Sequence, residues 1–486
     1  MSQTWLTKTI SEETKIPDLV NKISVTIKPS HAIAKGDIVT IKGLTSTTTN
    51  DNNSIDITGE GFKFNADGVA ATNALHGWSQ DGSLRSHDAA NNTLAINDDY
   101  LFVNGNESSG KKMLIYKKNA NGIFGDGVGG TGTYQVIDGD STASSGAFPY
   151  QIACTNDWMV ATWGQTSKNG KVYLFKKDSY GKWGDGSAAA TDVDGALTEL
   201  EWNDTADTFG GAVDISPNGE FIIVGRVSGV KKCWIIKRTG NALAFYGAGQ
   251  DHTGEVYFST NANVSSVGEV VAINDTHFFV RAGGTNDGVV GFKIPATSSS
   301  AMTYHWDNAY INNQTGNSTT AQYIGGYYTA GWRNGLVASN DFVCSTYGGN
   351  MTSHLQIYLR KKNPDGTYGD GAGNSGTSDY IFYQHGSSWT WIVDGIDYKA
   401  LAITNATSAS AWSIHLADDG AGNTTFIFGS PYVAGLRSDG VRPGCFWPLQ
   451  WNGTTFVKRP TVFNDGDLSG NATMGHNVAI NNKGDI

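Results

Sequence analysis

A unit of about sixty residues recurs along the chain, and this recurrence constrains the fold more than any other feature. One copy reads "TLAINDDYLFVNGNESSGKKMLIYKKNANGIFGDG" from Thr93, and the next reads "QIACTNDWMVATWGQTSKNGKVYLFKKDSYGKWGDG" from Gln151. Further copies begin at Ala212, Val270 and Gly335, with shorter ones near Leu401 and Val478. Anchored on the first apolar run, the equivalent residues are Ile96, Cys154, Ile215, Ile273, Ala338, Ile403 and Ile480, at spacings of 58, 61, 58, 65, 65 and 77 residues. Repeats of this length mark architectures in which each unit buries its apolar faces only against its neighbours.

Within a unit the runs are short, β-branched and aromatic, and bounded by Asn, Asp and Gly, which reads as strand and turn. "AIN" and "FIIV" are nearly continuous apolar runs, as expected of strands covered on both faces. "LIYKK" and "YLFKK" end in lysine, a device that blunts an exposed strand end. "TYQVID" (Thr133 to Asp138) and "LTELEWND" (Leu197 to Asp204) supply a fourth strand. No window holds an amphipathic helix longer than two turns. Four antiparallel strands repeated seven times predict an all-β chain, a seven-bladed β-propeller whose last repeat is incomplete.

The sequences "GIFGDG", "GKWGDG" and "GTYGDG" follow lysine pairs in three units. Gly supplies the positive φ of a tight turn, Asp bonds its own backbone, and the aromatic is free to pack on the neighbouring unit. A structural turn between third and fourth strands is therefore expected. "GVGGTG" (Gly127 to Gly132) matches a nucleotide-loop pattern but has no strand-to-helix context. "KKDSYGKWGDG" resembles the Asp-box turn of sialidases, with its Gly displaced and its leading Ser missing. The nine arginines, spread from Arg85 to Arg459, form no cluster for a substrate carboxylate. No convergent catalytic constellation is visible, and an enzyme is not expected.

The runs "VIDGDSTASSGAFPYQIACTNDWMVATWG" and "FGGAVDISPNGEFIIVG" resemble the FG-GAP, or integrin-α-like, propeller repeat of marine algal and large-virus surface proteins. The resemblance covers residues 85–486. It implies a propeller over 85–486, preceded by an N-terminal β module over 1–84 in which Ile23, Val25 and Ile27 alternate with polar residues. That module is a candidate attachment or ring-closing segment. The family's calcium loop needs carboxylates at alternate positions followed by Gly. The acidic turns here are Asp138 with Asp140, Asp192 with Asp194, and Asp465 with Asp467. None has three spaced Asp, so no cofactor is expected, and calcium, if bound, belongs at these turns.

Composition narrows function by exclusion. The net charge is −11, and no basic stripe is available to displace nucleic-acid counterions or to meet an anionic membrane. No apolar stretch is long enough for a membrane span. The four cysteines are far apart, which argues against a zinc site or a disulfide framework and for buried small hydrophobes. The N-terminus shows no leader of basic then apolar residues. A chain rich in Gly, Asn and Thr without such a leader fits a virion surface or fibre protein, assembled in a host cytosol and working outside it. The alternative is a cellular extracellular adhesin or matrix protein, with a propeller enzyme acting on glycans ranked behind both. Expected partners are other virion proteins through the N-terminal module and a host surface glycan or protein through propeller loops. The aromatic insertions Tyr327, Tyr328, Trp332, Trp389 and Trp391 are the candidate binding residues, because insertions in repeats map to loops and exposed rings stack on sugars or anchor protein contacts.

Overall fold

A computed structural model divides the chain into two compact units, Met1–Ala74 and Leu75–Ile486. Up to residue 64 it describes four strands. From Thr93 to Gly484 it describes the strands and most of the tight turns between them. Segments 65–92, 307–320, 324–334, 400–412, 431–444, 464–477 and several shorter loops lie outside the described residues. In the first unit, β1 (Trp5–Glu12) pairs antiparallel with β2 (Ile23–Pro29), and β3 (Ile57–Gly59) with β4 (Phe62–Phe64).

In the second unit every described element is a strand or a turn. The first sheet runs β5 (Leu94–Ile96), β6 (Tyr100–Gly105), β7 (Lys112–Lys117), β8 (Gln135–Asp138) in that order. The second repeats it with β9 (Ile152–Cys154), β10 (Trp158–Trp163), β11 (Gly170–Lys176) and β12 (Thr198–Trp202). The third holds β13 (Phe209–Ile215), β14 (Phe221–Arg226), β15 (Lys232–Thr239), β16 (Ala242–Phe245) and β17 (Glu255–Thr260). The fourth has β18 (Val264–Ile273), β19 (His277–Gly284) and β20 (Gly288–Lys293). After β20 the chain crosses back as β21 (Thr303–Trp306), parallel to β17 on the third sheet, before β22 (Ala321–Tyr323) completes the fourth.

The fifth sheet is wider: β23 (Leu336–Ala338), β24 (Phe342–Gly348), β25 (Leu355–Lys361), β26 (Tyr380–His385), β27 (Ser388–Val393), β28 (Ile396–Lys399). The sixth is β29 (Ser413–Asp418), β30 (Thr424–Ser430), β31 (Cys445–Trp451), β32 (Phe456–Lys458) and β33 (Val462–Phe463). The anchor residue Ile403 of the sixth repeat lies outside the described residues, and the described strand preceding β30 is Ser413–Asp418.

Hydrophobic seams join consecutive sheets. Phe102, Ile115 and Ile137 of the first pack with Met159, Ala161, Tyr173 and Phe175 of the second. Val160 and Leu174 of the second meet Ile222, Val224 and Trp234 of the third. Ile223, Cys233 and Ile235 then meet Val271, Phe278 and Val280 of the fourth. Phe279 and Val289 meet Leu336 and Val343 of the fifth. Phe342 lies edge-on to Phe426 of the sixth, ring centroids 5.4 Å apart. Finally Val478 and Ile480 pack on Ala417 and Ile427 of the sixth sheet, while Ala479 packs on Ile96 and Leu101 of the first. Alternate residues of the same strand serve opposite seams, which explains the continuous apolar runs.

Candidate functional site

The strands of each sheet present two ends. At one end sit the turns joining first to second strands. In four of these turns one side-chain oxygen accepts the backbone N–H groups two and three residues ahead. Asn97 holds Asp99 and Tyr100 at 3.1 and 2.9 Å; Asn274 holds Thr276 and His277 at 2.9 and 2.7 Å. Thr155 and Ser339 do the same with a hydroxyl. This is the local competition of short polar side chains with the backbone that makes such residues turn formers. An amide has donors left over. Asn97 Nδ2 donates across the seam to Thr155 O at 2.9 Å, Asn274 Nδ2 to Ser339 O at 2.8 Å, and Asn481 Nδ2 to Asn97 O at 3.0 Å. Beside these latches, Asn156 Nδ2 donates to Asp98 Oδ2 at 2.9 Å and Asn340 Nδ2 to Asp275 Oδ2 at 2.7 Å.

The lysine pairs belong to the same end. The first residue of the second strand is aromatic in five sheets, and it lies directly opposite a lysine: Tyr100 and Lys117, Trp158 and Lys176, Phe221 and Lys237, His277 and Lys293, Phe342 and Lys361. Lys176 Nζ stands 5.1 Å from the Trp158 ring and Lys237 Nζ 5.3 Å from Phe221, within cation–π range. The second basic residue reaches back across the seam. Arg238 lies 3.9 Å over Trp158, Lys177 5.8 Å over Tyr100, and Lys362 bonds Thr276 Oγ1 at 3.3 Å. These lysines are thus partnered rather than merely blunting an edge.

The aromatic-Gly turns also dock backwards. An isolated bridge pairs Lys118 with Phe124, Lys177 with Trp183 and Lys362 with Tyr368. Trp183 is buried edge-on against Tyr100 and Phe102 of the preceding sheet, at 5.5 and 5.0 Å. Gln135 clamps its backbone, donating to Trp183 O at 2.7 Å and accepting from its N–H at 2.9 Å. Tyr368 likewise lies edge-on to Phe279 at 5.3 Å. In the Asp-box-like turn, Asp178 Oδ1 accepts the N–H groups of Tyr180 and Lys182, both at 2.8 Å. The tip residue Tyr180 is left 83% exposed on this fixed backbone. The sequence reading missed Tyr180; its only signal was a bulky ring at the centre of a turn.

The residues singled out from sequence fall differently. Tyr327, Tyr328 and Trp332 lie outside the described residues, as do Asp140, Asp192, Asp194, Asp465 and Asp467. Trp389 and Trp391 are not in a loop: both lie in β27, in register with Gln384 and Phe382, in a strand added to the fifth sheet. An inserted segment rich in Trp, Thr and Ile has the β propensity to extend a sheet. Asp138 ends β8 and its carboxylate stands 3.3 Å from Lys112 Nζ. Among the described residues no group of three His, Cys, Asp or Glu is placed to hold a metal. Cys233 and Cys344 are buried free thiols.

Two half-buried acceptors complete the site. Asp214 Oδ2 accepts the N–H of Ile273 in the next sheet at 2.9 Å, and burial pushes its carboxyl up to about 7. His415 Nδ1 accepts the N–H of Ile480 at 3.3 Å, and burial pulls its imidazole down to about 4.

No family model matches the chain, and no curated protein matches it. Among solved structures, human WBSCR16 is similar at 8% identity and a TM-score of 0.29, over 71% of this chain and 78% of that one. A protein described as a putative 6-phosphogluconolactonase from Bacteroides uniformis is similar at 11% identity and 0.33, over 65% and 86%. Likeness at this distance defines neither the family nor the activity of this chain.

Proposed function

We propose that residues 85–486 form a seven-bladed propeller of the FG-GAP type, that it is a surface protein of a virion, and that its loops attach the particle to a host glycan or protein. The observation that carries the ring is the Asn481–Asn97 bond. It repeats, between the last unit and the first, the bond that Asn97 and Asn274 make between consecutive units. A ring closed this way is a rigid frame whose polar Gly/Ser/Asn segments between second and third strands are free to vary, which suits recognition better than a reaction centre. The N-terminal module is the part assigned to other virion proteins, and calcium, if used, belongs at the acidic turns.

Three measurements test this reading. A cryo-electron microscopy map of the purified chain should count seven sheets about one axis; six or eight, or an open stack, would overturn the ring. Mass spectrometry of purified virus particles should find the chain; its recovery from the cell envelope or matrix instead would favour the adhesin alternative. Binding of the full chain to a glycan array should weaken in a Trp389→Ala, Trp391→Ala variant if the fifth sheet carries the contact.

A further inference from the structure

The segment Val478–Gly484 is held on two sides by unlike bonds. On the first-sheet side, Asn481 Nδ2 donates to Asn97 O and Lys483 Nζ lies 3.2 Å from Asp99 Oδ1. On the sixth-sheet side, the N–H of Ile480 donates to the His415 ring. The same strand-to-strand bond between third and fourth sheets is made by Asp214. The two acceptors differ in one respect. A carboxyl oxygen accepts whether or not the group carries a proton, whereas a ring nitrogen accepts only while it is bare. His415 must therefore carry its proton on Nε2, and a second proton at Nδ1 converts the acceptor into a donor facing another N–H.

We propose that His415 is an acid-sensitive clasp: when a proton from solvent binds Nδ1, the Ile480 bond is lost and Val478–Gly484 is released from the sixth sheet. Among the described residues the surroundings offer the charged ring no counter-charge. β30 (Thr424–Ser430), β31 (Cys445–Trp451), β23 (Leu336–Ala338) and Val478–Asn481 contain no charged residue. On its own hairpin, Asp418 is bonded to Thr424 Oγ1 and Asp419 to the N–H of Asn423. Lys483, on the released segment, is paired with Asp99. The apolar packing left behind, Ala417, Ile427 and Phe446 against Val478 and Ile480, carries no compensating polar group.

Hydrogen–deuterium exchange of the full chain, corrected for the intrinsic pH dependence of exchange, reads the clasp directly. Protection of the peptide spanning 478–484 should fall about tenfold or more between pH 7 and pH 4, one proton being coupled to opening. His415→Asn keeps an oxygen acceptor that does not titrate, so its protection should stay flat over that range, while His277→Phe should respond as the wild type does. Flat protection in the wild type, or the same fall in His415→Asn, would overturn the proposal. Should His415→Asn fail to fold, the wild type still decides: the imidazole nitrogen shifts of His415 should titrate at the midpoint of the protection loss. Midpoints more than one pH unit apart would also overturn it.

Discussion

The two ends of the strands solve one problem in opposite ways. Both must tie each sheet to the next. At the turn end the solution is repeated: one polar residue closes its own turn, and where it is Asn it also crosses the seam. At the other end the fifth residue of the second strand faces the same task, and each sheet answers differently. Asn104 Nδ2 donates to Pro149 O at 3.1 Å, and Thr162 Oγ1 to Gly210 O at 2.8 Å. In the third sheet the position is Gly225, where a Cβ would stand 2.1 Å from Gly268 O, and the following residue, Arg226, donates through Nε to Val267 O at 2.7 Å. The turn end conserves a chemistry from unit to unit, while the loop end conserves only a contact.

Substitutions can break or sharpen this contrast. Trp183→Ala should have the largest effect, about 3–5 kcal/mol in urea unfolding, because it empties a site ringed by Tyr100 and Phe102 across a seam. Gly225→Val should follow at about 2 kcal/mol or more, because backbone rather than a pliable side chain blocks the added carbons. If it costs under about 0.5 kcal/mol, the loop end is looser than the contact implies.

At the turn end a pair of variants separates the two jobs of one residue. Asn274→Ser keeps the turn acceptor and loses the latch, at about 1 kcal/mol; Asn274→Ala loses both, at about 2 kcal/mol. Equal losses would mean that the turn acceptor contributes nothing; no loss in Asn274→Ser would mean the same of the amide's bonds to Ser339 O and Tyr368 Oη. Thr155→Asn should, conversely, restore a latch that the second unit lacks and raise the unfolding midpoint slightly.

Titration reads both ends of the pH scale. His277 is pulled down to about 4 by burial, with Lys362 and Lys293 adding to the effect. The unfolded chain therefore takes up this proton first, so the stability His277 contributes is intact above about pH 6.5 and is lost as pH falls toward 4. Asp214, raised to about 7, works the other way: its contribution is intact below about pH 4 and is lost as pH rises through 7. Denaturant midpoints against pH should flatten on the acid side in His277→Phe and on the neutral side in Asp214→Asn. The smallest change is expected of Lys176→Met, about 0.5 kcal/mol for an exposed cation–π contact with Trp158.

This contrast also explains what could be read from the chain. Periodic apolar runs located β5 to β15 and the aromatic turns, because each follows from local pattern. Trp183 was legible as a turn residue with a packing role for the same reason. The seam-crossing donors were not legible, since Asn97 and Thr155 look like interchangeable turn formers until the neighbouring carbonyl is known. β21 escaped because its partner β17 lies in another repeat. The anchor of the sixth unit, Ile403, lies outside the described residues, where the described strand is Ser413–Asp418. Trp389 and Trp391 looked like loop aromatics because an inserted strand carries no repeat signature.

The bond from Asn481 to Asn97 spans 384 residues, whereas its counterpart from Asn97 to Thr155 spans 58. Bringing together points that far apart costs about 1.7 kcal/mol more in loop entropy than the shorter closure. The order of assembly follows. Neighbouring sheets can dock as they form, and the junction of Val478–Gly484 with β5 and β6 must wait for all of them. The same asymmetry makes that junction the first to part under load or heat, so a protease or a pulling force should find the chain there.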